Sequence, residues 1–239
     1  MNNFLNRFQR IINKNLGLEI KKFPNKFQRS QKAFLMDNSI NVILDVGANV
    51  GQFAQSMFDI GYNGKMISFE PIQAIFDKLE KKAKGNTKWQ TCHFALGDFD
   101  GTANINISAL DASSSLLPFV EDMTEVLTDL YYTKQECIEV KQLDSIFEAI
   151  IPDMDTKIFL KIDTQGFEKA VLDGAKDHLE RIKMVQIELS LQEIYKGELT
   201  MNQMITYLES KGFKLWSVEP GFYNPKTYQL LQFDGIFIR

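Results

Sequence analysis

The stretch Ile43-Leu-Asp-Val-Gly-Ala-Asn-Val-Gly-Gln52 joins a short apolar run to a turn bracketed by two glycines and then to the start of a helix. The apolar run predicts a buried strand, and Gly47 and Gly51 allow a tight turn in which the backbone approaches a ligand closely. In open α/β sheets, ligands bind beside such turns at the carboxyl ends of the strands. The stretch therefore predicts an α/β fold with a binding site at the end of its first strand.

The rest of the chain repeats this alternation of short apolar runs with segments of helical periodicity. The predicted strands cover 41–46, 65–70, 87–96, 157–163, 183–189, 213–218 and 231–238, and the predicted helices cover 52–60, 72–83, 143–150, 166–179 and 200–211. Repeated strand-then-helix units indicate a mostly parallel sheet with helices on both faces. The last two strands have no helix between them, so we predict a seven-stranded sheet with an antiparallel pair at one edge.

Residues 97–135 interrupt the pattern with turn-forming and polar residues, and only Thr102–Ile107 suggests a short strand there. A long irregular segment in a compact domain is typically a lid or a binding loop.

The composition is that of an ordinary globular protein: 239 residues with a net charge of −4 and two cysteines. Two isolated cysteines exclude a disulfide scaffold and a zinc ribbon. No apolar run approaches the roughly 20 residues that span a bilayer, and the start lacks a secretory signal pattern. These features predict a cytoplasmic protein.

The charge is unevenly distributed along the chain. Residues 1–34 contain eight basic side chains and one acidic one, a net charge of +7, which leaves −11 for the other 205 residues. We therefore predict a basic, amphipathic helical arm at 1–40 and an acidic domain at 41–239, whose charge disfavours nucleic acid as a partner. Such an arm can pack on its own domain, form a homodimer contact or lie on the anionic inner face of a membrane.

The spacing of charged residues around the glycine turn favours a cationic nucleoside over a dinucleotide. The turn follows the pattern D-x-G-x-x-x-G instead of the dinucleotide fingerprint G-x-G-x-x-G. Glu70, at the end of the second strand, can accept hydrogen bonds from both hydroxyls of a ribose. With Asp45 nearby, these features fit S-adenosylmethionine, a sulfonium with a free ribose. The alternative is that Asp45 caps a turn and that Glu70 only precedes a helix beginning at Pro71.

From about residue 41 to residue 239, the sequence resembles the FkbM-type S-adenosylmethionine-dependent methyltransferases. The resemblance rests on Asp45-Val-Gly-Ala-Asn-Val-Gly51, Phe69-Glu-Pro71, Ala95-Leu-Gly-Asp98, Lys161-Ile-Asp-Thr-Gln-Gly-Phe-Glu168, Glu219-Pro-Gly-Phe222 and Asp234-Gly-Ile-Phe237. Gln165 departs from the family pattern, which usually has a glutamate at this position.

The resemblance implies a Rossmann-like class I methyltransferase fold with S-adenosylmethionine as the cofactor. It assigns the methionine end of the cofactor to Asp45, Gly47, Ala48, Asn49 and Gly51, the ribose to Glu70, and the adenine to Pro71, Ala95 and Leu96. It also implies an acceptor among surface polysaccharides or their precursors.

Two further acids are candidates for the chemistry. Asp163 ends the fourth predicted strand and Glu188 lies near the end of the fifth, so both would point into the binding crevice. An alcohol oxygen is a poor nucleophile that benefits from a general base or a metal ion. The pair could act as base and orienter, or could share a divalent cation with hydroxyls of the substrate. The two histidines are far apart in the sequence, which argues against a histidine-based metal site.

The sequence thus predicts an O-methyltransferase acting on a sugar hydroxyl of a glycan. Two alternatives stay open: a domain that binds the cofactor or a glycan without turnover, and a nicotinamide-dependent oxidoreductase, which the glycine spacing disfavours.

Overall fold

The computed structural model describes residues 23–109, 113–121, 123 and 131–239. The strands in these ranges are β1 (Val42–Val46), β2 (Lys65–Phe69), β3 (Trp89–Cys92), β4 (Ala95–Leu96), β5 (Gly101–Ser108), β6 (Tyr132–Lys141), β7 (Ile158–Ile162), β8 (Ile182–Ser190), β9 (Lys214–Pro220) and β10 (Gln232–Ile238). The helices are α1 (Lys26–Asp37), α2 (Gln52–Asp59), α3 (Gln73–Ala83), α4 (Leu143–Ile150), α5 (Glu168–Asp173) and α6 (Met201–Ser210). A single turn of 3₁₀ helix covers Leu179–Arg181.

Seven strands form the main sheet in the order β3-β2-β1-β7-β8-β10-β9. The first five are parallel, whereas β10 runs antiparallel to both β8 and β9. This arrangement confirms the predicted Rossmann-like class I methyltransferase fold with its antiparallel edge pair. Because β1 lies between β2 and β7, the strand order reverses there, and the carboxyl ends of these strands form the crevice in which such sheets bind ligands.

The third predicted strand, at 87–96, is wrong as a single element. Its first part is β3, which pairs with β2, while β4 belongs to a second, three-stranded sheet of order β4-β6-β5. The main sheet offers no partner beyond Cys92, because β2 ends at Phe69 and Glu70-Pro71 leads the chain towards α3. The irregular segment at 97–135 contains a longer strand than predicted, β5, and the start of β6, which was not predicted at all.

The helix predicted at 166–179 is also shorter than expected and covers only α5. It stops at Gly174, whose carbonyl accepts a hydrogen bond from the backbone N–H of Asp144 at the start of α4. The hydrogen bond from Asp144 thus occupies the Gly174 carbonyl, which would have accepted a backbone hydrogen bond within the helix if α5 continued.

Helix α1 packs directly on the sheet. Its start is capped by Asn25, whose side chain accepts from the N–H of Gln28, while the Gln28 side chain accepts from the N–H of Asn25. The buried residues Phe27, Phe34 and Leu35 share one apolar cluster with residues of the sheet, Ile43, Met66, Phe159, Met184 and Ile236. Residues 1–22 of the predicted arm lie outside the described residues. In the described ranges, no helix has the length and hydropathy needed to cross a membrane.

The close approach of two turns makes Gly174 a sensitive position. A Cβ atom at Gly174 would lie 1.8 Å from the carbonyl oxygen of Gly97, which is backbone and cannot rotate away. We expect Gly174→Ala to lower the free energy of unfolding by about 1–3 kcal/mol, as overpacking of a filled interior does. Urea denaturation measures this change. Gly101→Ala is the control, because its Cβ would meet only a side chain at 3.5 Å; an equal loss in both variants would contradict the prediction.

Candidate active site

A row of buried polar side chains crosses the centre of the main sheet towards the site. Ser68, Asp45, Lys161 and Gln186 are register partners on adjacent strands, and each is 6% exposed or less. The Ser68 hydroxyl donates to Asp45 Oδ2 at 3.1 Å, and Lys161 Nζ lies 3.3 Å from Asp45 Oδ1. Asp45 is therefore held inside the sheet by its neighbours.

Lys161 also connects this row to both turns at the crevice. Its Nζ donates to the carbonyl of Gly47 at 3.1 Å and lies 3.4 Å from Asp163 Oδ2. Burial opposes a charge on Lys161, but the negative charges of Asp163 and Asp45 outweigh it and keep the pKa of this ammonium above its usual value. A charged Lys161 thus holds the turn after β1 against the turn after β7.

The two turns approach so closely that only glycine fits at position 47. Gly47 has a φ of 72°, and a Cβ there would lie 1.9 Å from the carbonyl oxygen of Asp163. Gly47, which we predicted from the sequence to let the backbone approach a ligand, therefore also allows the two turns to pack together.

Glu70 connects the turn after β1 to the turn after β2. Its Oε2 accepts from the N–H of Asn49 at 3.0 Å, and its Oε1 accepts from the N–H of Ile72 at 2.9 Å. Burial raises the pKa of Glu70 to about 7, although these two N–H groups oppose the rise. The carboxylate is thereby fixed in one orientation at the carboxyl end of β2.

These turns surround a cavity of about 220 Å³. It is lined by six of the nine predicted cofactor residues, Gly47, Asn49, Glu70, Pro71, Ala95 and Leu96, and by both predicted catalytic acids, Asp163 and Glu188. The other three, Asp45, Ala48 and Gly51, are buried and are not among the lining residues. Gly51 is packed so closely that a larger residue would not fit, since a Cβ there would lie 2.7–2.8 Å from side-chain atoms of Trp89 and Leu79. Contact of these three residues with a cofactor stays a prediction.

Asp163 and Glu188 are brought together by the amide of Gln165. The amide Nε2 donates to Asp163 Oδ1 and to Glu188 Oε2, each at 2.9 Å. Glu188 Oε2 accepts a second hydrogen bond from Gln232 Nε2 at 2.7 Å. The sequence predicted that the two acids would meet, but nothing in the strand pattern indicated that an amide would join them.

The two acids differ in their surroundings. The ammonium of Lys161 forms an ion pair with Oδ2 of Asp163, and the amide of Gln165 donates a hydrogen bond to its Oδ1. At Glu188 the two amides share Oε2, and no described residue donates to Oε1. Burial raises the pKa of Glu188 well above its ordinary value, and the negative charge of Asp163 adds to the rise. Glu188 is therefore the acid that is better suited to take up a proton.

The serine-containing segment at 113–120 closes one side of the cavity. Ser114 and Leu116 line it, and the hydroxyl of Ser115 donates to the carbonyl of Gln165 at 2.6 Å. Phe119 anchors the segment by packing against the rings of Tyr132 and Tyr195, with centroid distances of 4.3 and 5.2 Å. The binding-loop prediction for 97–135 is consistent with this placement.

Several lining residues were missed by the sequence reasoning. Most are apolar or lie on neighbouring turns: Gln52, Ile72, Ile75, Ile105, Thr164 and Phe167. Ile72 and Ile75 lie in the predicted helix 72–83, whose apolar periodicity does not indicate a ligand contact, and Ile105 lies in the second sheet, whose position the sequence did not indicate. Among the described residues, no group of three or more His, Cys, Asp or Glu is arranged to hold a metal ion.

The chain is similar to known methyltransferases. A family model described as the methyltransferase FkbM domain matches residues 45–215. The 2-O-methyltransferase NoeI of Sinorhizobium fredii is 23% identical over 183 residues, covering 74% of this chain and 74% of that protein. Methyltransferase 1 of Beauveria bassiana is 28% identical over 204 residues, covering 79% of each. Among solved structures, magnesium protoporphyrin IX methyltransferase from Synechocystis, with S-adenosylmethionine bound, has a TM-score of 0.48 at 8% identity, covering 90% of this chain and 78% of that one.

The buried carboxyl of Glu168 gives a stability prediction. Its Oε1 accepts from the N–H and the hydroxyl of Thr164 and from the N–H of Gly166, and burial raises its pKa from 4.5 to about 7. Because the folded state holds this proton more tightly than the unfolded state does, stability is lost as the pH rises from about 5 to about 8. Glu168→Gln keeps an acceptor oxygen and removes the titration.

Between pH 5 and pH 8, we therefore expect the free energy of unfolding of Glu168→Gln to rise relative to that of the parent protein by on the order of 1–3 kcal/mol. Urea denaturation at both pH values measures the difference. Glu80→Gln, on the exposed face of α3, is the control and should give no such trend. Parallel pH dependences for Glu168→Gln and the parent would contradict the prediction.

Proposed function

The chain belongs to the methyltransferase FkbM domain family, and from this we propose that it transfers a methyl group from S-adenosylmethionine to a sugar hydroxyl of a surface polysaccharide or its precursor. The observation that carries the proposal is the composition of one cavity. It holds a fixed carboxylate, Glu70, at the end of β2, and a pair of acids, Asp163 and Glu188, at the ends of β7 and β8. The first suits a ribose and the second suits the hydroxyl to be methylated.

The described residues fit the cofactor. The Glu70 carboxylate has lone pairs left for ribose hydroxyls after it accepts from Asn49 and Ile72. Beside it lies an apolar wall suited to a flat adenine ring, formed by Ile72, Ile75, Leu96, Ile105, Leu116 and Phe167. We assign the methionine end to Gly47 and Asn49 in the turn after β1.

The proposed chemistry is an in-line displacement. S-adenosylmethionine supplies a methyl group made electrophilic by its sulfonium. The acceptor hydroxyl hydrogen-bonds to Glu188 Oε1, which takes its proton as the new carbon–oxygen bond forms and the carbon–sulfur bond breaks. The products are the methyl ether, neutral S-adenosylhomocysteine and a protonated Glu188, so charge balances. Asp163 accepts from a neighbouring hydroxyl and orients the sugar.

The acceptor class has two supports. The related NoeI is named a 2-O-methyltransferase, which indicates an oxygen acceptor. The polar lining next to the acid pair, with Ser114, Thr164 and Gln165, offers donors and acceptors for a polyhydroxylated molecule. The polysaccharide assignment rests on the motif resemblance described above.

We further propose that the enzyme is cytoplasmic and approaches the inner face of a membrane through residues 1–34. In the described part of this region, Lys26, Arg29 and Lys32 are all exposed on α1. Their spacing of three residues places them near one face of the helix, where anionic headgroups would attract them.

The cofactor assignment predicts the effect of Glu70→Gln. A glutamine has one acceptor oxygen, so it cannot serve the N–H groups of both Asn49 and Ile72 and also hold a ribose. We expect the Kd for S-adenosylmethionine and S-adenosylhomocysteine to rise about tenfold or more, measured by calorimetry. Glu80→Gln on the exposed face of α3 should leave the Kd unchanged. Binding of NAD in place of both sulfur nucleosides would exclude the proposal in favour of an oxidoreductase.

The acceptor assignment predicts a separate effect for Glu188→Gln. The amide keeps nearly the same volume but cannot take up a proton at neutral pH. We expect kcat to fall about 100-fold while the Kd for S-adenosylmethionine changes less than about twofold. The assay mixes the protein with labelled cofactor and cell-surface glycan fractions, and mass spectrometry locates the methyl group. Transfer to protein or nucleic acid but not to glycans would refute the acceptor class, and unchanged kcat in Glu188→Gln would refute the base.

A further inference from the structure

Gln165 occupies the point between two carboxylates where a cation would ordinarily be expected. One nitrogen, Nε2, lies 2.9 Å from Asp163 Oδ1 and 2.9 Å from Glu188 Oε2. Two carboxylates that face a common point repel each other unless a positive charge or a hydrogen-bond donor lies between them. An amide nitrogen has two N–H groups, one for each acid.

The amide cannot turn over in this position. Its Oε1 accepts the hydroxyl of Tyr195 at 2.6 Å, and a flipped amide would point Oε1 at two carboxylates. Tyr195 is itself fixed, because it is 1% exposed and packs against Phe119. The donor face of the amide is thus directed towards the acids by a buried hydroxyl on the opposite side.

The backbone of Gln165 is also held in an uncommon conformation. Its φ is 56°, in the left-handed region that side chains other than glycine and asparagine rarely adopt. The hydroxyl of Ser115 donates to its carbonyl at 2.6 Å, and the next residue, Gly166, has a φ of 96°. A strained residue that is fixed at both its side chain and its carbonyl, inside a cavity, indicates a positioning role.

We propose that Gln165 is a positioning residue that replaces a divalent cation: its amide bridges Asp163 and Glu188 and keeps the acid pair aligned for the acceptor. The inference rests on the proposed function for its catalytic meaning, whereas the bridging role stands on the contacts alone. The cation that the sequence left open for Asp163 and Glu188 has no place between them while Nε2 donates to both.

The replacement Gln165→Glu tests this role with almost no change in volume. It removes both N–H donors and puts a third carboxylate beside the two acids, a set of oxygen ligands that suits Mg²⁺ or Mn²⁺. We expect MnCl₂ to raise the Tm of Gln165→Glu by about 3 °C or more and to leave the Tm of the parent protein unchanged. The double variant Gln165→Glu/Glu188→Gln should lose the shift. Gln90→Glu, on the exposed part of β3, controls for added charge.

This first measurement needs neither cofactor nor acceptor, so it is independent of the proposed function. A Tm of Gln165→Glu that does not respond to MnCl₂ would overturn the inference, as would an equal response in the parent, because the amide would then not be what excludes the cation.

Methyl transfer gives the second measurement. We expect Gln165→Glu to have a kcat about tenfold lower, recovered in part by MnCl₂, with an unchanged Kd for S-adenosylmethionine. Gln165→Asn retains an amide and tolerates a positive φ, but it is one methylene too short to reach both acids. It should lose kcat to a similar extent without recovery by MnCl₂. Parent-like kcat in Gln165→Asn would refute the positioning role even if Gln165→Glu failed to fold.

Discussion

The buried ammonium of Lys161 is the interaction on which the site depends. It lies within 3.4 Å of Asp45 and Asp163 and donates to the carbonyl of Gly47, so one charge holds two strands and two turns together. Removal of one partner from a buried ion pair typically costs about 3–5 kcal/mol, because the other charge is left without compensation. The close contact between Gly47 and Asp163, and thus the shape of the cavity, follows from this arrangement.

The same row of polar residues links the site to the N-terminal helix. Beyond Lys161, the next register partner is Gln186, whose Oε1 accepts from Gln31 of α1 at 2.6 Å. At the other end, the indole N–H of Trp89 donates to Ser68. Buried polar groups are costly unless they are paired, and the partners here are of two kinds: hydrogen bonds at both ends of the row, and the ion pair of Lys161 with Asp45 at its centre. Helix α1 is therefore part of the support of the sheet, whatever residues 1–22 contact.

The acids around the cavity are distinguished by their partners. Asp163 is balanced by Lys161, Glu70 by two backbone N–H groups, and Glu188 by two amides that leave one oxygen without a described donor. Burial raises the pKa of both Glu70 and Glu188, but Glu70 has an N–H donor at each oxygen, whereas Glu188 keeps one oxygen at which a proton can be accepted. The neutral Gln165 bridge makes this separation compatible with two carboxylates in direct proximity.

The sequence by itself determined that the chain forms a mostly parallel sheet with an antiparallel edge pair, and which residues follow its strands, because the periodicities of strands and helices are local patterns with a fixed geometric consequence. Six predicted cofactor residues and both predicted acids therefore line one cavity. The tertiary structure alone decided that Asp45 is buried beside Lys161, that β6 completes a second sheet and that Gln165 joins the acids. These features depend on contacts between residues far apart in the chain, where hydrogen-bond partners are fixed by packing and leave no periodic signal in the sequence.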